Sequence, residues 1–443
     1  MSTFARRTSI AAILVFALAS AGDAQPRAGG AIQVLVAPDH TDWKYAAGEK
    51  VTFLIRVIRD NNTVTGIRVT YNIGPEQMPP AVTNTVTIDS DPYRVDGGTM
   101  KEPGFLRCVA VVNENGRMYR GLGTAGLEPE KIQTATEEPS DFDAFWDAGK
   151  RDLAAIPMNA ERTLIPELST SKVNVYHVSL QNVGKERNGR SRIFGMLAEP
   201  KEPGKYPALL GVPGAGVWKI NPMVRQAEAG VIALAIGIHG IPLTLDASLY
   251  SLLAQGALNG YWNWGLESRD RYYYRRVYLG CLRANDYLTS LPNWDGRMLA
   301  VTGESQGGAL TIVTAALDTR VKALGAFYPA LADLMASQKG RGDGWPHMFK
   351  DTSLRTEANL KTAAYYDAVN FARRVRVPGM YAWGYNDEVC GPSSMYAAYN
   401  AIKAPKKLLL ALQTGHNRLP EANETIDNWL SRFLTTGQLP EPF

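Results

Sequence analysis

Cysteine is scarce in this chain of 443 residues, and its distribution excludes two common roles. The three cysteines, Cys108, Cys281 and Cys390, are widely spaced and odd in number, so they do not form a disulfide framework. No C-x-x-C motif or clustered cysteine and histidine spacing indicates zinc. We therefore expect no metal site and no cofactor, and each cysteine is expected to be a small buried apolar residue.

An excess of charge of either sign is also missing. The 47 lysines and arginines nearly balance the 43 aspartates and glutamates, which leaves a formal net charge of +4. Proteins that bind nucleic acid use basic clusters to neutralise phosphates, and no long basic run is present. Nucleic acid is therefore not an expected partner, and the sequence leaves the oligomeric state open.

The N-terminal apolar run, residues 10–19, is too short to cross a membrane, which takes about 20 apolar residues. Arg6 and Arg7 precede the run, and small residues follow it as far as Ala24. A charged start, a short apolar stretch and a small-residue cleavage site are typical of a secretory signal peptide. We expect residues 1–24 to be removed and the protein to be exported by a bacterium, periplasmic or secreted, with no stable membrane anchor.

The segment after the predicted signal, residues 25–136, is predicted to form strands and turns. Apolar or alternating runs with β-branched residues occur at residues 33–37, 50–58, 67–73, 85–89 and 105–112. Turn residues separate these runs, including Asp60-Asn61-Asn62 and Gly97-Gly98. The pattern predicts a small β-sandwich domain of immunoglobulin type.

From residue 137 to residue 443 the pattern changes to alternating helices and strands. Residues 141–155 are predicted to form a helix that packs Phe142, Phe145 and Trp146 inward. Continuous apolar strands follow at residues 208–212, 231–238, 298–302, 324–328, 379–383 and 407–412. Such strands, separated by helices, indicate a mostly parallel central sheet covered on both faces, with its site beyond the carboxyl ends of the strands.

The most informative motif is Gly-Glu-Ser-Gln-Gly-Gly at residues 303–308, directly after the apolar strand at residues 298–302. A G-x-S-x-G turn between a strand and a helix exposes its serine at the helix N-terminus, as in the nucleophile elbow of α/β-hydrolases. Short matches also occur by chance, but the preceding strand and the following helix, predicted from residue 308, favour the elbow. We therefore identify Ser305 as the candidate nucleophile of an α/β-hydrolase catalytic domain at residues 137–443.

A nucleophilic serine needs a base, and in this fold the histidine comes last in the chain order of serine, acid and histidine. Two histidines follow Ser305. His416 directly follows the strand at residues 407–412, at the functional edge of the predicted sheet. His347 has no strand leading to it and is interpreted as a structural residue. His416 is therefore the candidate base.

The base needs a carboxylate that holds its tautomer. Asp387 follows the strand at residues 379–383, where a loop side chain can reach the next loop. Glu388 and Asp343 are competing carboxylates, although a charge in a loop is usually only solvated. Asp387 is the preferred acid.

An oxyanion hole needs two backbone N–H groups aimed at the developing charge. One is expected from Gln306, the residue after the nucleophile. The other is expected from the Pro-Gly-Ala-Gly loop at residues 213–216, where small residues allow a substrate to approach the backbone. Ala215 is the preferred donor and Gly216 the alternative, and a simple turn is compatible with both.

These features resemble the acetyl xylan esterase and cephalosporin-C deacetylase family of α/β-hydrolases. The resemblance covers residues 141–433 and rests on the elbow, Asp-Phe-Asp-Ala-Phe-Trp at 141–146, Tyr-Tyr-Tyr-Arg-Arg-Val at 272–277, Arg-Ala at 283–284, and Asp387 with Cys390 and Pro392. It implies a serine carboxylesterase that removes acetyl groups from carbohydrate, with acetylated oligo- or polysaccharides as substrates. For the site it implies the nucleophile Ser305, the base His416, the acid Asp387 and the oxyanion donor Gln306.

Two loops depart from the family pattern, and both concern the walls of the substrate pocket. Family members usually carry His-Gly-Tyr at the first oxyanion loop and Arg-Gly-Gln-Gly after the next strand. This chain has Pro-Gly-Ala at residues 213–215 and Ile-His-Gly-Ile-Pro at residues 238–242. His239 and Gly216 are candidates for lining the pocket, although His239 can equally be a hydrogen-bonded structural residue. Trp262 and Trp264 are further candidates, although aromatic residues are as often part of the core.

Two other functions are compatible with parts of the sequence. A serine peptidase of the prolyl-oligopeptidase type shares the elbow, but its N-terminal propeller needs more strands than residues 25–136 provide. A non-catalytic, hydrolase-like glycan-binding protein would not need serine, acid and base in this order. The natural ester, the acyl preference and the role of the β-domain, in glycan binding or in shaping the active-site entrance, stay open.

Overall fold

The computed structural model describes residues 32–184 and 189–440 of the chain. The predicted signal peptide, residues 1–24, therefore lies outside the described residues. Within these two ranges, no helix combines the length and the apolar character needed to span a lipid bilayer.

The first part of the described chain, residues 32–127, consists of strands and is called the N-terminal β-region below. Its strands are β1 (Ile32–Pro38), β2 (Lys44–Tyr45), β3 (Val51–Arg59), β4 (Asn62–Thr63), β5 (Ile67–Pro75), β6 (Val82–Ile88), β7 (Tyr93–Gly98), β8 (Gly104–Glu114) and β9 (Arg117–Leu127). One sheet has the order β1-β3-β4, with β7 paired to β3, and the other has the order β2-β9-β8-β5-β6. Alternate residues of β1 and β3 are buried, and both sheets contribute to one apolar cluster, which includes Val57, Val69 and Val112.

The sequence analysis missed several strands of this region. β9 contains Gly121, Gly123 and Gly126, which interrupt its apolar pattern, and β7 ends in two glycines. The strand expected at residues 85–89 begins earlier, at Val82, because a polar stretch continues the exposed edge strand β6. Edge strands need fewer apolar residues, since one side has no partner strand and water can reach their polar side chains.

A nine-stranded mixed sheet forms the centre of the remaining described chain. Its strands are β10 (Glu161–Leu164), β11 (Val173–Val183), β12 (Arg190–Pro200), β13 (Tyr206–Val212), β14 (Ile232–Gly237), β15 (Trp294–Glu304), β16 (Ala323–Phe327), β17 (Gly379–Trp383) and β18 (Lys406–Leu410). The strand order is β10-β11-β12-β14-β13-β15-β16-β17-β18. β13 to β18 pair in parallel with one another, whereas β10, β11 and β12 pair antiparallel and join the sheet through β14.

The six strands expected in this part of the sequence correspond to β13–β18. The sequence analysis did not predict β10–β12, because these strands carry polar residues between their apolar ones. Strand β10 is exposed along its length, and β12 begins with exposed and half-buried polar residues. The parallel part therefore has the six strands that the sequence indicated, and the three antiparallel strands make the sheet larger and mixed.

The helices are α1 (Phe142–Ala154), α2 (Val224–Glu228), α3 (Ala247–Gln255), α4 (Tyr273–Ser290), α5 (Gln306–Leu317), α6 (Glu357–Tyr366), α7 (Ala368–Ala372), α8 (Pro392–Ala401) and α9 (Pro420–Thr436). Helix α1 buries Phe142, Phe145 and Trp146, as its apolar spacing predicts. Helix α5 begins at Gln306, two residues before the predicted start. Helices α4, α5 and α9 pack on the parallel part of the sheet.

The N-terminal β-region shares an apolar core with the rest of the molecule. Trp43 and Phe105 belong to the same buried cluster as Tyr385 and Tyr396. The Phe105 ring meets the Tyr385 ring edge to face, with 4.8 Å between ring centroids. The β-region therefore packs directly against the segment that follows β17, which carries Asp387.

Candidate active site

Ser305 lies in a strained turn between β15 and α5. Its backbone angles, φ of 55° and ψ of −120°, lie outside the regions that a residue with a side chain adopts without strain. Such backbone strain is common at functional sites. The turn is held by the Ser305 N–H, which donates to the Phe327 carbonyl at 3.0 Å. A Cβ at Gly307 would lie 2.4 Å from the Val212 carbonyl oxygen, so only glycine allows this close approach.

Ser305, His416 and Asp387 form one hydrogen-bonded chain. His416 Nε2 lies 3.0 Å from Ser305 Oγ, and His416 Nδ1 lies 2.8 Å from Asp387 Oδ2. Asp387 is fully buried, and its other carboxylate oxygen accepts the Val389 and Cys390 N–H groups at 2.8 Å each. In this arrangement Nδ1–H donates to the carboxylate, which leaves Nε2 free to accept the serine proton.

The competing residues have other partners. The Glu388 carboxylate faces Arg120, whose Nη1 donates to it at 2.8 Å. Asp343 Oδ1 lies 2.9 Å from His347 Nδ1, and His347 Nε2 lies 2.9 Å from the Val389 carbonyl oxygen. His347 therefore holds the loop that carries Asp387. This structural role agrees with its interpretation from the sequence.

The structure separates the two candidate donors of the 213–216 loop. The Gly216 N–H donates to the Tyr261 hydroxyl at 3.2 Å, so it is already engaged. Within residues 32–184 and 189–440, the Ala215 N–H has no hydrogen-bond partner. Gln306 is the first residue of α5, where a helix leaves its N–H groups without an intrahelical acceptor. The Ala215 and Gln306 N–H groups thus have no acceptor among the described residues, whereas the Gly216 N–H has one.

The Gln306 side chain joins the elbow to the 213–216 loop, a role that the sequence analysis did not foresee. Its Oε1 accepts the hydroxyl protons of Tyr261 and Tyr274, both at 2.7 Å. Its Nε2 donates to the carbonyl oxygens of Pro213 and Gly214, at 3.3 and 3.2 Å. Because the side chain is fully buried, these four bonds satisfy its amide and hold the loop against the elbow.

His239 holds the same loop from the other side. Its Nε2 lies 2.8 Å from the Gly216 carbonyl oxygen, and its Nδ1 lies 2.7 Å from the Tyr273 hydroxyl. Burial lowers the pKa of His239 to about 4, so the ring is neutral, with Nε2–H as donor and Nδ1 as acceptor. His239 was a candidate for lining the pocket or for a hydrogen-bonded structural role, and the structure binds its ring to the 213–216 loop and to Tyr273.

The two predicted aromatic residues of the pocket, Trp262 and Trp264, have different neighbours. Trp262 packs edge to face against Trp345, with 5.4 Å between ring centroids. Trp264 is 37% exposed and lines a separate cavity of about 320 Å³ with Arg271 and Arg276. The structure therefore places Trp264 against a cavity that Ser305 does not line.

Trp218 is an aromatic residue that the sequence analysis missed. It is 47% exposed, and a Cβ at Gly216 would lie 1.8 Å from its ring, so the ring lies directly against the 213–216 loop. An exposed indole beside the oxyanion loop can form a wall for a substrate. The sequence feature that could have indicated this role is the position of Trp218 two residues after Gly216, a glycine of that loop.

A serine on a strand-to-helix elbow, followed by an acid and a histidine after later strands of a mixed sheet, defines the class of α/β-hydrolases. The chain belongs to the acetyl xylan esterase family, whose family model, acetyl xylan esterase (AXE1), matches residues 127–433. The resemblance seen in the sequence is thereby confirmed, and it identifies the chain as a hydrolase of carboxylic esters.

Similar proteins differ in how much of the chain they match. Acetyl esterase Axe7A of Xylanibacter ruminicola is 38% identical over 407 residues, 90% of each chain. The structure of an acetyl xylan esterase from Paenibacillus sp. R4 has 28% identity and a TM-score of 0.60, and the match covers 69% of this chain and 98% of that chain. The structure of acetyl xylan esterase 1 from Thermoanaerobacterium sp. JW/SL YS485 supports the same fold, with 22% identity, a TM-score of 0.60 and coverage of 69% and 97%.

The N-terminal β-region lies before the family model, which begins at residue 127, the last residue of β9. The two solved esterases are matched over nearly their whole length and leave about a third of this chain unmatched. The match to Axe7A covers 90% of the chain, so it extends into the β-region. The β-region is therefore an addition to the family core that at least one relative matches in part.

Proposed function

We propose that the chain is an exported serine carboxylesterase that removes acetyl groups from carbohydrate. The observation that carries the proposal is the hydrogen-bonded chain from Ser305 through His416 to Asp387, at 3.0 and 2.8 Å, in a member of the acetyl xylan esterase family. The names of its relatives, acetyl esterase and acetyl xylan esterase, support an acetylated carbohydrate as the substrate.

In the first half of the reaction, Ser305 Oγ attacks the acetyl carbonyl carbon while His416 Nε2 takes the hydroxyl proton. The carbonyl oxygen becomes an oxyanion and is stabilised by the N–H groups of Ala215 and Gln306. The ester C–O bond then breaks, and His416 returns the proton to the sugar oxygen. The sugar leaves as an alcohol, and Ser305 carries the acetyl group.

In the second half, His416 takes a proton from a water molecule, and the water oxygen attacks the acetyl carbon. The same two amides stabilise the second oxyanion. The bond to Ser305 Oγ breaks, the serine regains its proton from His416, and acetate leaves. Asp387 keeps its hydrogen bond to His416 Nδ1 and stabilises the imidazolium ion that forms twice.

The decisive experiment replaces the nucleophile, Ser305→Ala. We expect kcat for 4-nitrophenyl acetate and for acetylated xylo-oligosaccharides to fall by about 10⁶, with the unfolding temperature retained. A fluorophosphonate probe should label the wild type and leave the variant unlabelled. Undiminished turnover by the folded variant would refute the proposal.

Export and the type of the N-terminal β-region are parts of the same proposal. The charged, apolar and small-residue order of residues 1–24 supports a cleaved signal. Two sheets around a common apolar cluster, antiparallel except for the pair of β2 with β9, support a β-sandwich of immunoglobulin type. The mass of the protein recovered from a bacterial periplasm tests export, because cleavage predicts a chain that starts near Gln25, and an uncleaved mass contradicts it.

A further inference from the structure

The loop that carries Asp387 is held by the N-terminal β-region. This loop, residues 384–391, follows β17 and is called the acid loop below. Arg107, on β8, donates from Nη2 to the carbonyl oxygens of Tyr385 and Asp387, at 3.0 and 2.9 Å. Its Nε donates to Thr124 Oγ1 on the neighbouring strand β9, at 2.9 Å. The guanidinium group thus joins the five-stranded sheet to the backbone of the acid itself.

Two further contacts fasten the acid loop to the same region. Asn386 Nδ2 donates to the Leu122 carbonyl at 3.1 Å. Arg120 pairs with Glu388, and its Nη1 donates at 2.8 Å. The residues on either side of Asp387 are therefore both bound to strand β9.

The N-terminus of α8, the helix that follows the acid loop, is bound by a carboxylate from the N-terminal β-region. Glu76 Oε1 accepts the N–H of Ser393, the second residue of α8, at 3.1 Å. A carboxylate at this position satisfies an orphan N–H and complements the positive end of the helix. Glu76 is buried, so water does not compete for this contact.

Arg107 is buried, so water cannot replace the hydrogen bonds that its guanidinium makes to the acid loop. It is 7% exposed, and burial lowers the pKa of its guanidinium, which nevertheless stays protonated in proteins. Glu76, Glu388 and Asp387 surround it with opposite charge. Without the guanidinium, the Tyr385 and Asp387 carbonyls would lose a buried donor and the loop would be free to rearrange.

We propose that Arg107 is a positioning residue for the acid Asp387, and that the N-terminal β-region is a structural part of the active site. The inference rests on the proposed function, since it requires Asp387 to act on His416. It also gives the β-region a role that does not depend on glycan binding.

The first test compares Arg107→Gln with a matched control, Arg283→Gln. Arg283 is 5% exposed and donates from Nη2 to two carbonyl oxygens, of Leu153 and Ile156, at 2.7 and 2.8 Å. It makes the same kind of contact away from the acid loop. We expect Arg107→Gln to lower kcat for 4-nitrophenyl acetate about 10- to 100-fold with KM changed less than about 2-fold, as for other supporting residues.

The control should lower the unfolding temperature without a matching loss of kcat. Equal losses of kcat in the two variants would overturn the proposal, because they would mean that any buried arginine acts through stability. If Arg107→Gln does not fold, Arg107→Lys keeps the charge and loses the planar fork. Arg107→Lys should then show a fall in kcat that is smaller than the 10- to 100-fold expected for Arg107→Gln. An unchanged kcat in the folded lysine variant would also overturn the proposal.

The second test asks whether Arg107 acts through Asp387. In an Asp387→Ala background, Arg107→Gln should lower kcat by less than about 2-fold, because the group that it positions is gone. The full 10- to 100-fold loss on top of Asp387→Ala would overturn the inference and leave the triad intact. If Asp387→Ala alone keeps the wild-type kcat, the proposed function fails, and the two failures are therefore distinguishable.

Discussion

The nucleophile side and the acid side of the site are supported by different parts of the chain and by different chemistry. On the nucleophile side, neutral side chains of Gln306, Tyr261 and His239 hold the 213–216 loop, and Tyr274 binds the Gln306 side chain. All of them lie within the family match at residues 127–433. On the acid side, charged groups from the preceding β-region hold the acid loop.

The difference shows how an added region can become part of a family's active site. Neutral hydrogen bonds are cheap to bury when every donor and acceptor is satisfied. A buried guanidinium has a large desolvation cost, which its carbonyl and carboxylate partners must offset. The acid side is therefore more sensitive to single substitutions, because each substitution leaves a buried charge or a buried carbonyl group without a partner.

Among the substitutions that test this comparison, the largest effect is expected on the acid side, in Asp387→Asn. The amide cannot hold the Nδ1–H tautomer of His416, so kcat for 4-nitrophenyl acetate should fall by about 10⁴. Glu388→Gln is the matched control, because its carboxylate is bound to Arg120 and not to His416. A loss in the control as large as in Asp387→Asn would show that the acid is wrongly assigned.

On the nucleophile side, Tyr261→Phe should lower kcat by about 10-fold. The hydroxyl accepts the Gly216 N–H and donates to Gln306, and its loss leaves that N–H unpaired beside the oxyanion donor Ala215. Tyr274→Phe is the control, since this hydroxyl donates to the same Gln306 oxygen without touching the loop. Steady-state kinetics should separate the two variants, and equal effects would contradict a role for Tyr261 in placing the loop.

Acid pH should destabilise the protein partly through the nucleophile side. The pKa of His239 is about 4 in the folded state and ordinarily near 6.5. Between pH 4 and pH 6.5 this imidazole is therefore protonated in the unfolded chain and neutral in the folded protein. The stabilisation is complete above about pH 6.5 and is lost as the pH falls towards 4, by about 3 kcal/mol at most. In His239→Gln, the free energy of unfolding, measured in urea at pH 7 and pH 5, should fall about 1–2 kcal/mol less than in the wild type. An identical fall in both proteins would exclude His239 as the source.

The smallest effect is expected at the pocket wall, in Trp218→Ala. If the exposed indole stacks on a sugar ring, KM for acetylated xylo-oligosaccharides should rise about 3- to 10-fold, with 4-nitrophenyl acetate unaffected. Trp264→Ala, at the separate cavity, should leave both substrates unaffected. A similar rise in KM for both substrates would mean that Trp218 shapes the loop and does not bind sugar.

Local patterns accounted for the elements that place the chemistry. The strands before Ser305, Asp387 and His416 each contain an apolar run that a local pattern can detect, and β15, β17 and β18 lie within the parallel part of the sheet. The strands that were missed, β7, β9 and β10–β12, contain glycines or polar residues where apolar ones were sought. Their register depends on neighbouring strands, which a local pattern does not contain.

Side chains whose partners are distant in sequence were beyond prediction. Trp264 and His239 were candidates for the pocket, and the structure shows Trp264 at a cavity that Ser305 does not line and His239 bound to the Gly216 carbonyl. The Gln306 side chain was not considered, because only its backbone amide has a role in the elbow motif. Its partners Tyr261 and Tyr274 precede it by 45 and 32 residues.

By itself, the sequence determined the family, and it predicted the chain order of nucleophile, acid and base, because each of these residues comes shortly after a recognisable strand. Only the tertiary structure decided what holds them in place. Arg107 reaches the Asp387 carbonyl across 280 residues of chain, and no periodicity or motif spans such a distance. The contact exists because β8 packs against the acid loop, and that packing follows from apolar burial over the whole fold.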